Sequence, residues 1–227
     1  MSPGQPPPPL PPHPAQNRKF AALVVGVIVA AAVLVTGSAI ALRGFGASDI
    51  TNLETSMSVG RQDFPDWPRA TFDGPKKDTN RALKTADLSP ESCAPLDGAP
   101  ARQTVQAQLK TDAHHALVMR LGVPRPKVDY AALIRACTQY TLGGMLVIDV
   151  GRQLKLGGLP RWAVAVTEKI SDRSGLVTPF ASIKVLGRYR GVSIMAMCVM
   201  STTDQPQTCE SALVPLFNAQ VSKLAAA

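Results

Sequence analysis

The chain has 227 residues, of which 45% are hydrophobic, and its 24 lysines and arginines against 16 acidic residues give a formal net charge of +8. This length suffices for one folded domain with accessory segments. The basic residues are scattered, without a lysine–arginine run or interleaved aromatic residues, which excludes a typical nucleic-acid-binding protein.

The N-terminal segment, residues 1–19, contains eight prolines. Such a segment cannot build a packed core, because it lacks apolar side chains and backbone hydrogen-bond donors. We predict an extended, disordered cytoplasmic tail. Docking of Pro8, Pro11 and Pro12 into an aromatic groove of a partner protein is the alternative.

An uncharged stretch of 23 residues, Phe20–Leu42, follows the tail. As a helix it would extend about 34 Å, against a bilayer hydrocarbon core of about 30 Å. Arg18 and Lys19 precede the stretch and Arg43 follows it, a bias that favours a cytoplasmic N-terminus. We predict one transmembrane helix with the rest of the chain outside the cytoplasm. A signal peptide cleaved after the pattern Ala39–Ala41 is the alternative.

The part of the chain beyond this helix begins with a small, polar stretch, residues 43–58, which we predict to be a juxtamembrane linker. The folded extracytoplasmic domain would then comprise residues 59–227. Near its start Phe64 and Trp67 stand among prolines, which exclude a regular helix. We interpret these aromatic side chains as covering the apolar edge of the domain, and a ligand-binding platform as the alternative.

Secondary structure is predicted from about residue 80 onward. Asn80–Asp87 is predicted to be a short helix, and residues 88–100 a proline-rich loop that carries Cys93. Apolar alternation and uninterrupted apolar runs then predict six strands. These strands cover residues 105–110, 117–121, 145–150, 161–170, 181–186 and 192–200. The last of them is apolar on both faces, which is typical of an interior strand.

Two helices are predicted among these strands. Asp129 is a predicted N-cap, and the apolar face after it consists of Tyr130, Leu133, Ile134 and Cys137. The C-terminal segment also has helical spacing, but Pro215 interrupts it. Because proline is tolerated only in the first turn of a helix, we predict that this helix starts near Val214, with Cys209 before it.

The order of elements and the short connections predict an α+β domain. We expect a mostly antiparallel sheet of about six strands with helices packed on one face, preceded by the transmembrane helix. Outside the cytoplasm, cysteines usually form disulfides. The four cysteines, which allow three pairings, are Cys93, Cys137, Cys198 and Cys209. We favour Cys93–Cys137 and Cys198–Cys209. No C-x-x-C and no neighbouring histidine supports a metal site.

Catalytic signatures are not found in the sequence, and no cofactor is predicted. Asp149 and Glu168 each end an apolar strand and would form a hydrolytic carboxylate pair only if they met across the sheet. Salt bridges of these carboxylates with Arg152 or Lys169 are the preferred interpretation.

A candidate ligand-binding turn is formed by Arg188, Tyr189 and Arg190 between two glycines. Two guanidinium groups at a turn are suited to bind a phosphate or carboxylate. A solvated hairpin tip is the preferred interpretation of the same residues. Beyond the predicted helix the chain carries 22 basic and 16 acidic residues, an excess that suits an anionic envelope ligand or lipid surface, although a charged, solvated surface is the preferred interpretation.

Four segments carry a family resemblance: "SPESCAPL", "VDYAALIRAC", "YRGVSIMAM" and "LVPLFNAQVSKL". They resemble membrane-anchored or lipoprotein extracytoplasmic domains of actinobacteria, of unknown function. More distantly, the region from Thr51 to Leu224 is similar to the sensor domains of receptor-type Ser/Thr kinases. The resemblance implies a disulfide-bonded α+β domain that binds a ligand in a cleft. The chain differs from those kinases in lacking a kinase domain.

The sequence therefore predicts a non-catalytic binding or sensor-like domain of the cell envelope, anchored by one membrane helix with its N-terminus inside. A scaffold or accessory subunit of an envelope complex is the alternative, with an envelope protein as its partner. An envelope hydrolase that uses Asp149 and Glu168 is the third hypothesis.

Overall fold

The computed structural model describes residues 48–78, 87–98, 100–111, 115–123, 127–175, 178–202 and 206–227. The predicted tail and transmembrane helix lie outside these residues, as does the predicted helix Asn80–Asp87 except for its last residue. In the ranges just given, no helix is both long enough and apolar enough to cross a membrane.

An antiparallel sheet of nine strands dominates the described part of the chain. The strands are β1 Thr71–Asp78, β2 Leu88–Ser89, β3 Gln103–Lys110, β4 Ala116–Val123, β5 Gln139–Leu142, β6 Leu146–Leu154, β7 Val164–Asp172, β8 Phe180–Tyr189 and β9 Val192–Ser201. Their order across the sheet is β1-β3-β4-β9-β8-β7-β6-β5-β2. The helices are α1 Tyr130–Ala136 and α2 Pro206–Ala226, with short 3₁₀ helices η1 Thr55–Met57, η2 Arg61–Asp63 and η3 Glu91–Asp97. The predicted α+β class is confirmed.

The sheet has more strands than the predicted six. Those six correspond to β3, β4, β6, β7, β8 and β9, and the three strands that were not predicted are β1, β2 and β5. Strand β1 carries Pro75 and a register shift between Asp73 and Lys76, which an edge strand tolerates. Strands β2 and β5 are too short, at two and four residues, to show an alternating pattern.

Helices cover both faces of the sheet rather than one, which corrects a second prediction. Helix α2 packs on the face that carries Ile183 and Val185, whereas α1 and η3 pack on the face that carries Leu186 and Met195. Because consecutive strand residues point to opposite faces, each central strand must be apolar on both sides. Strand β9, between β4 and β8, is such a strand, and its predicted interior position is confirmed.

Helix α1 is capped as predicted. The Asp129 carboxylate accepts a hydrogen bond from the backbone N–H of Ala132 at 2.9 Å. Tyr130, Ile134 and Cys137 are buried on one side of the helix and pack with Leu133 into the smaller of two hydrophobic clusters.

Helix α2 begins at Pro206, earlier than the predicted start near Val214, so that Cys209 lies inside the helix. Pro215 removes the backbone N–H that would bond the carbonyl of Ser211. Both residues are exposed, and water can therefore satisfy that carbonyl. The opposite, buried side of the helix consists of Leu213, Leu216, Phe217, Val221 and Leu224.

The described part of the predicted linker, residues 48–58, belongs to the fold. Leu53 is completely buried in the larger hydrophobic cluster. The buried side chain of Gln220 on α2 accepts a hydrogen bond from Val59 N–H at 3.0 Å and donates one to the Met57 carbonyl at 2.7 Å. The segment is thus bound to α2 by side-chain and backbone contacts.

Candidate functional site

The predicted ligand-binding turn closes the hairpin between β8 and β9. Tyr189 pairs with Val192, which leaves Arg190 and Gly191 as a two-residue turn with φ angles of 45° and 77°. Two consecutive positive φ angles are typical of a type I′ turn, which matches the twist of a hairpin. Arg188 and Tyr189 therefore lie in strand β8, and only Arg190 lies in the turn.

Both arginines of this hairpin have partners within the protein. Arg188 Nη2 lies 3.2 Å from Asp49 Oδ2. Arg190 donates to the Ser48 carbonyl at 3.2 Å and to the Leu224 carbonyl at 2.8 Å. The second contact places a cation at the C-terminal end of α2, where it bonds a terminal carbonyl and interacts favourably with the helix dipole. Arg190 is thus engaged in holding α2 and the segment before Ile50.

Trp162 is the exposed aromatic residue of this region, and the sequence reasoning did not single it out. Its side chain is 40% exposed. Its ring stacks on Tyr189 with centroids 6.0 Å apart and an interplanar angle of 22°, and it is tilted against Phe217 at 5.8 Å. We call Trp162, Tyr189 and the exposed Arg161 next to Trp162 the aromatic–arginine surface. The signal available in the sequence was a tryptophan next to Arg161. Its stacking partner, Tyr189, lies in another strand and could not be inferred from the sequence.

Gly187 makes this stacking possible, because a Cβ atom at that position would overlap the Trp162 ring and approach the Phe217 ring to 3.1 Å. We expect Gly187→Ala to lower the free energy of unfolding by about 1–3 kcal/mol through overpacking, and to change the tryptophan fluorescence. Gly157→Ala is the control, since no atom lies within 4 Å of its Cβ position. Equal denaturation midpoints for both variants would contradict this account.

Phe64 and Trp67 do not join the aromatic–arginine surface. Phe64 is only 5% exposed and packs against Phe72 of β1 with ring centroids 5.2 Å apart. Trp67 packs against the same cluster. Strands β1 and β8 are four positions apart in the sheet, which corresponds to about 19 Å. The packing agrees with the interpretation that these residues cover the apolar edge.

A second group of polar side chains lies buried beneath η3. Lys184 of β8 has a side chain that is 2% exposed. Its Nζ atom lies 3.0 Å from Asp97 Oδ1 and 3.0 Å from Glu168 Oε2, and it donates to Tyr140 Oη at 3.1 Å. The ammonium group therefore has two hydrogen-bond acceptors, Asp97 and Tyr140, and a second ion-pair partner in Glu168.

Glu168 is equally well bonded at both carboxylate oxygens. Oε1 accepts from the Tyr140 hydroxyl at 3.1 Å, and Oε2 accepts from the Ser182 hydroxyl at 3.1 Å and forms the ion pair with Lys184. Glu168 and Ser182 are direct cross-strand partners in β7 and β8, so that they share a face with Lys184 two residues on. We call Lys184, Glu168, Asp97, Tyr140 and Ser182 the buried lysine cluster.

The surroundings shift two pKa values in this cluster. Burial is the main cause that raises the pKa of Tyr140; Lys184 opposes the shift and the carboxylates of Glu168 and Asp97 add to it. Burial by itself would lower the pKa of Lys184, but the carboxylates of Glu168 and Asp97 outweigh it and raise that pKa well above its ordinary value. The resting cluster thus holds a neutral phenol and an ammonium group.

Tyr140 is therefore expected to make stability fall in alkali. The pKa of Tyr140 is higher in the folded than in the unfolded protein, so the protonated phenol stabilises the fold. This stabilisation is complete below about pH 10, the pKa in the unfolded protein, and is lost as the pH rises through the pKa in the folded protein. Tyr140→Phe should cost about 1–3 kcal/mol at neutral pH, because it removes a buried hydrogen-bonding group. Urea denaturation should show a difference in unfolding free energy between wild type and Tyr140→Phe that is constant up to about pH 10 and narrows at higher pH. A constant difference would contradict the expectation.

The carboxylate pair considered for hydrolysis is not formed. Asp149 is opposite Lys169 in the β6–β7 register, whereas Glu168 is opposite Val150. Adjacent positions point to opposite faces, so the two carboxylates lie on different sides of the sheet. Asp149 accepts a hydrogen bond from Gln139 at 2.6 Å. The partner of Glu168 is Lys184, and not Arg152 or Lys169 as the sequence suggested.

The two disulfides are the favoured pairs. Cys93–Cys137, with Cα atoms 5.7 Å apart, joins η3 to the end of α1. Cys198–Cys209, with Cα atoms 5.6 Å apart, joins β9 to α2 on the other face of the sheet. Within the ranges that the structure describes, no group of three or more His, Cys, Asp or Glu side chains is placed to hold a metal ion.

The solved structures that are similar to this chain include two mycobacterial proteins. No protein-family model and no curated protein matches the chain. The extracellular domain of PknH from Mycobacterium tuberculosis, a receptor Ser/Thr kinase, is 11% identical over 69% of this chain and 86% of that one, with a TM-score of 0.41. An uncharacterised protein from Mycobacterium smegmatis, the Rv0999 ortholog, is 12% identical over 70% and 91%, with a TM-score of 0.38.

The first of these structures belongs to the class of protein that the sequence resemblance indicated. At TM-scores below 0.5, neither likeness decides what this chain binds or does.

Proposed function

We propose that the chain is a single-pass membrane protein that presents a non-catalytic, sensor-like binding domain to the cell envelope. The observation that carries this proposal is the pair of disulfides between buried cysteines, one on each face of the sheet. Cytosolic thiols are kept reduced, whereas disulfides persist in oxidising compartments. The uncharged stretch Phe20–Leu42 supplies the proposed anchor.

The proposed binding region is the aromatic–arginine surface. Trp162 combines an exposed ring with firm stacking on Tyr189, so that a ligand would meet a rigid aromatic platform. Arg161 is exposed beside it, whereas Arg188 points to the opposite face of β8 and pairs with Asp49. Guanidinium groups at an aromatic surface favour an anionic ligand, and the excess of basic residues favours the same charge. Phe64, Trp67 and Arg190 are already engaged in packing and in holding α2.

Location is tested in intact cells with a membrane-impermeant, lysine-reactive label. We expect exposed lysines of the domain, such as Lys76, to be labelled before permeabilisation, and a tag placed on the N-terminus to be protected. Peptide mapping of the native protein without reduction should recover all four cysteines in disulfides. Labelling only after permeabilisation, or free thiols in native protein, would refute the extracytoplasmic assignment.

Binding is tested by isothermal titration of the purified full chain with a soluble peptidoglycan fragment, a disaccharide that carries an acidic peptide. Replacing a tryptophan anchor costs about 2 kcal/mol or more, so we expect Trp162→Ala to weaken binding roughly 30-fold. Met145→Ala, which removes an exposed apolar residue from the β5–β6 hairpin, should leave binding unchanged.

No heat of binding with wild type would remove peptidoglycan as the ligand. Stable protein partners recovered after crosslinking in the membrane would instead favour the scaffold alternative.

A further inference from the structure

The buried lysine cluster brings an amine and a carboxyl group from distant parts of the chain into reacting distance. Lys184 and Asp97 are 87 positions apart in sequence, yet Nζ lies 3.0 Å from Oδ1. The Asp97 side chain is 15% exposed, and the Lys184 side chain 2%. A second carboxylate, Glu168, lies 3.0 Å from the same nitrogen and is completely buried.

The surrounding structure holds these groups in place. Asp97 ends η3, whose Leu96 is completely buried and whose Cys93 is joined to α1. The Asp97 carbonyl accepts a hydrogen bond from Arg120 at 3.3 Å. Lys184 lies in a central strand between β7 and β9. Neither backbone can move away readily. The amine of Lys184 and the carboxyl group of Asp97 therefore stay next to each other at a high effective concentration.

We propose that Lys184 and Asp97 condense to an amide bond that crosslinks β8 to η3 in the mature protein, with Glu168 carrying the protons. The ammonium group of Lys184 passes one proton through Glu168 to an Asp97 oxygen, which gives a neutral amine facing a neutral acid. The amine lone pair attacks Asp97 Cγ and forms the C–N bond. A second nitrogen proton then reaches the same oxygen, the C–O bond breaks, and water leaves.

Atoms and charges balance in this step without an oxidant or a co-reactant. Of the three ammonium protons, one stays on the amide nitrogen and two leave with one carboxylate oxygen as water. Glu168 ends as the carboxylate it was at the start. It keeps the hydrogen bonds from Tyr140 and Ser182 before and after the reaction.

Burial favours the amide product over the ion pair. The reactants are two opposite charges held away from water, where each ion carries a desolvation penalty. The product replaces them with one neutral amide, and the released water escapes to solvent. The pair of Lys76 and Asp73, 2.6 Å apart, shows the contrast, because water reaches both ions and, among the described residues, Lys76 has no second carboxylate as an ion-pair partner.

The test is peptide mapping by mass spectrometry of the full chain after reduction of its disulfides. We expect a branched peptide in which the segments containing Lys184 and Asp97 are joined, lighter than the two separate peptides by one water. Lys76 and Asp73 should appear in linear peptides of full mass. Recovery of Lys184 and Asp97 only in linear, unmodified peptides would overturn the proposal.

Two variants separate this chemistry from an inert ion pair. Asp97→Asn should form the same branched peptide, with identical mass, because ammonia leaves in place of water. Glu168→Gln keeps the size of the side chain but cannot carry protons, so its Lys184 should remain unmodified although circular dichroism shows a folded protein. A branched peptide in equal yield in Glu168→Gln would overturn the role of Glu168.

Discussion

Lys184→Met is expected to lower the free energy of unfolding by about 3–5 kcal/mol, the cost of breaking a buried ion pair on one side. The reference is wild-type protein in which Lys184 and Asp97 form the ion pair and not the inferred amide, and the variant leaves Glu168 and the largely buried Asp97 without their shared cation. Methionine has nearly the volume of lysine, so the loss measures charge and hydrogen bonding rather than a cavity. Urea denaturation at neutral pH measures it.

Lys76→Met is the matched control for this variant. Lys76 also pairs with an aspartate, but its side chain is 73% exposed. We expect a change within about 0.5 kcal/mol for this surface substitution. Adding Glu168→Gln to Lys184→Met should restore part of the lost stability, because it removes a buried negative charge that no longer has a cation beside it. A Lys184→Met protein as stable as Lys76→Met would show that the cluster does not support the fold.

The second large effect is expected from the Cys93–Cys137 disulfide. Replacing both cysteines with alanine should lower the free energy of unfolding by about 4 kcal/mol on the chain-entropy model, because the closed loop spans 44 positions. The same double replacement at Cys198 and Cys209, which closes 11 positions, should cost about 3 kcal/mol. Denaturation midpoints of both double variants give the comparison.

The two disulfides should also differ in what they hold locally. Removing Cys93–Cys137 frees η3, which carries Asp97, and we expect limited proteolysis to cut first near residues 91–97. Removing Cys198–Cys209 should instead expose the first turns of α2. If both variants showed the same first cleavage site, the assignment of each bridge to one face would be wrong.

Local patterns in the sequence predicted much of this fold. Alternation identified β3, the double apolar face identified β9 as interior, and Asp129 marked the start of α1. These features depend on residues close together in the chain. The short strand β5 follows α1 directly and shows its role only through pairing with β6, which no local pattern reveals.

The candidate sites were less accessible to sequence reasoning. In strand β8, Lys184 stands between Ile183 and Val185, a pattern typical of a strand with one wet face. Its burial depends on η3 and β5, which reach it from elsewhere in the chain. Trp162 was missed for the same reason, because its stacking on Tyr189 is a contact between separate segments.

The two edge strands of the sheet determine whether copies of the protein can associate edge to edge at high concentration. Strand β1 combines a proline, an irregular register and the charges of Lys76 and Lys77, and the opposite border is a strand of only two residues. An open border with regular, unpaired backbone groups would invite a neighbouring copy to add its own strand. In the described part of the chain neither edge strand offers that template, so we expect that copies at high concentration do not join their sheets edge to edge.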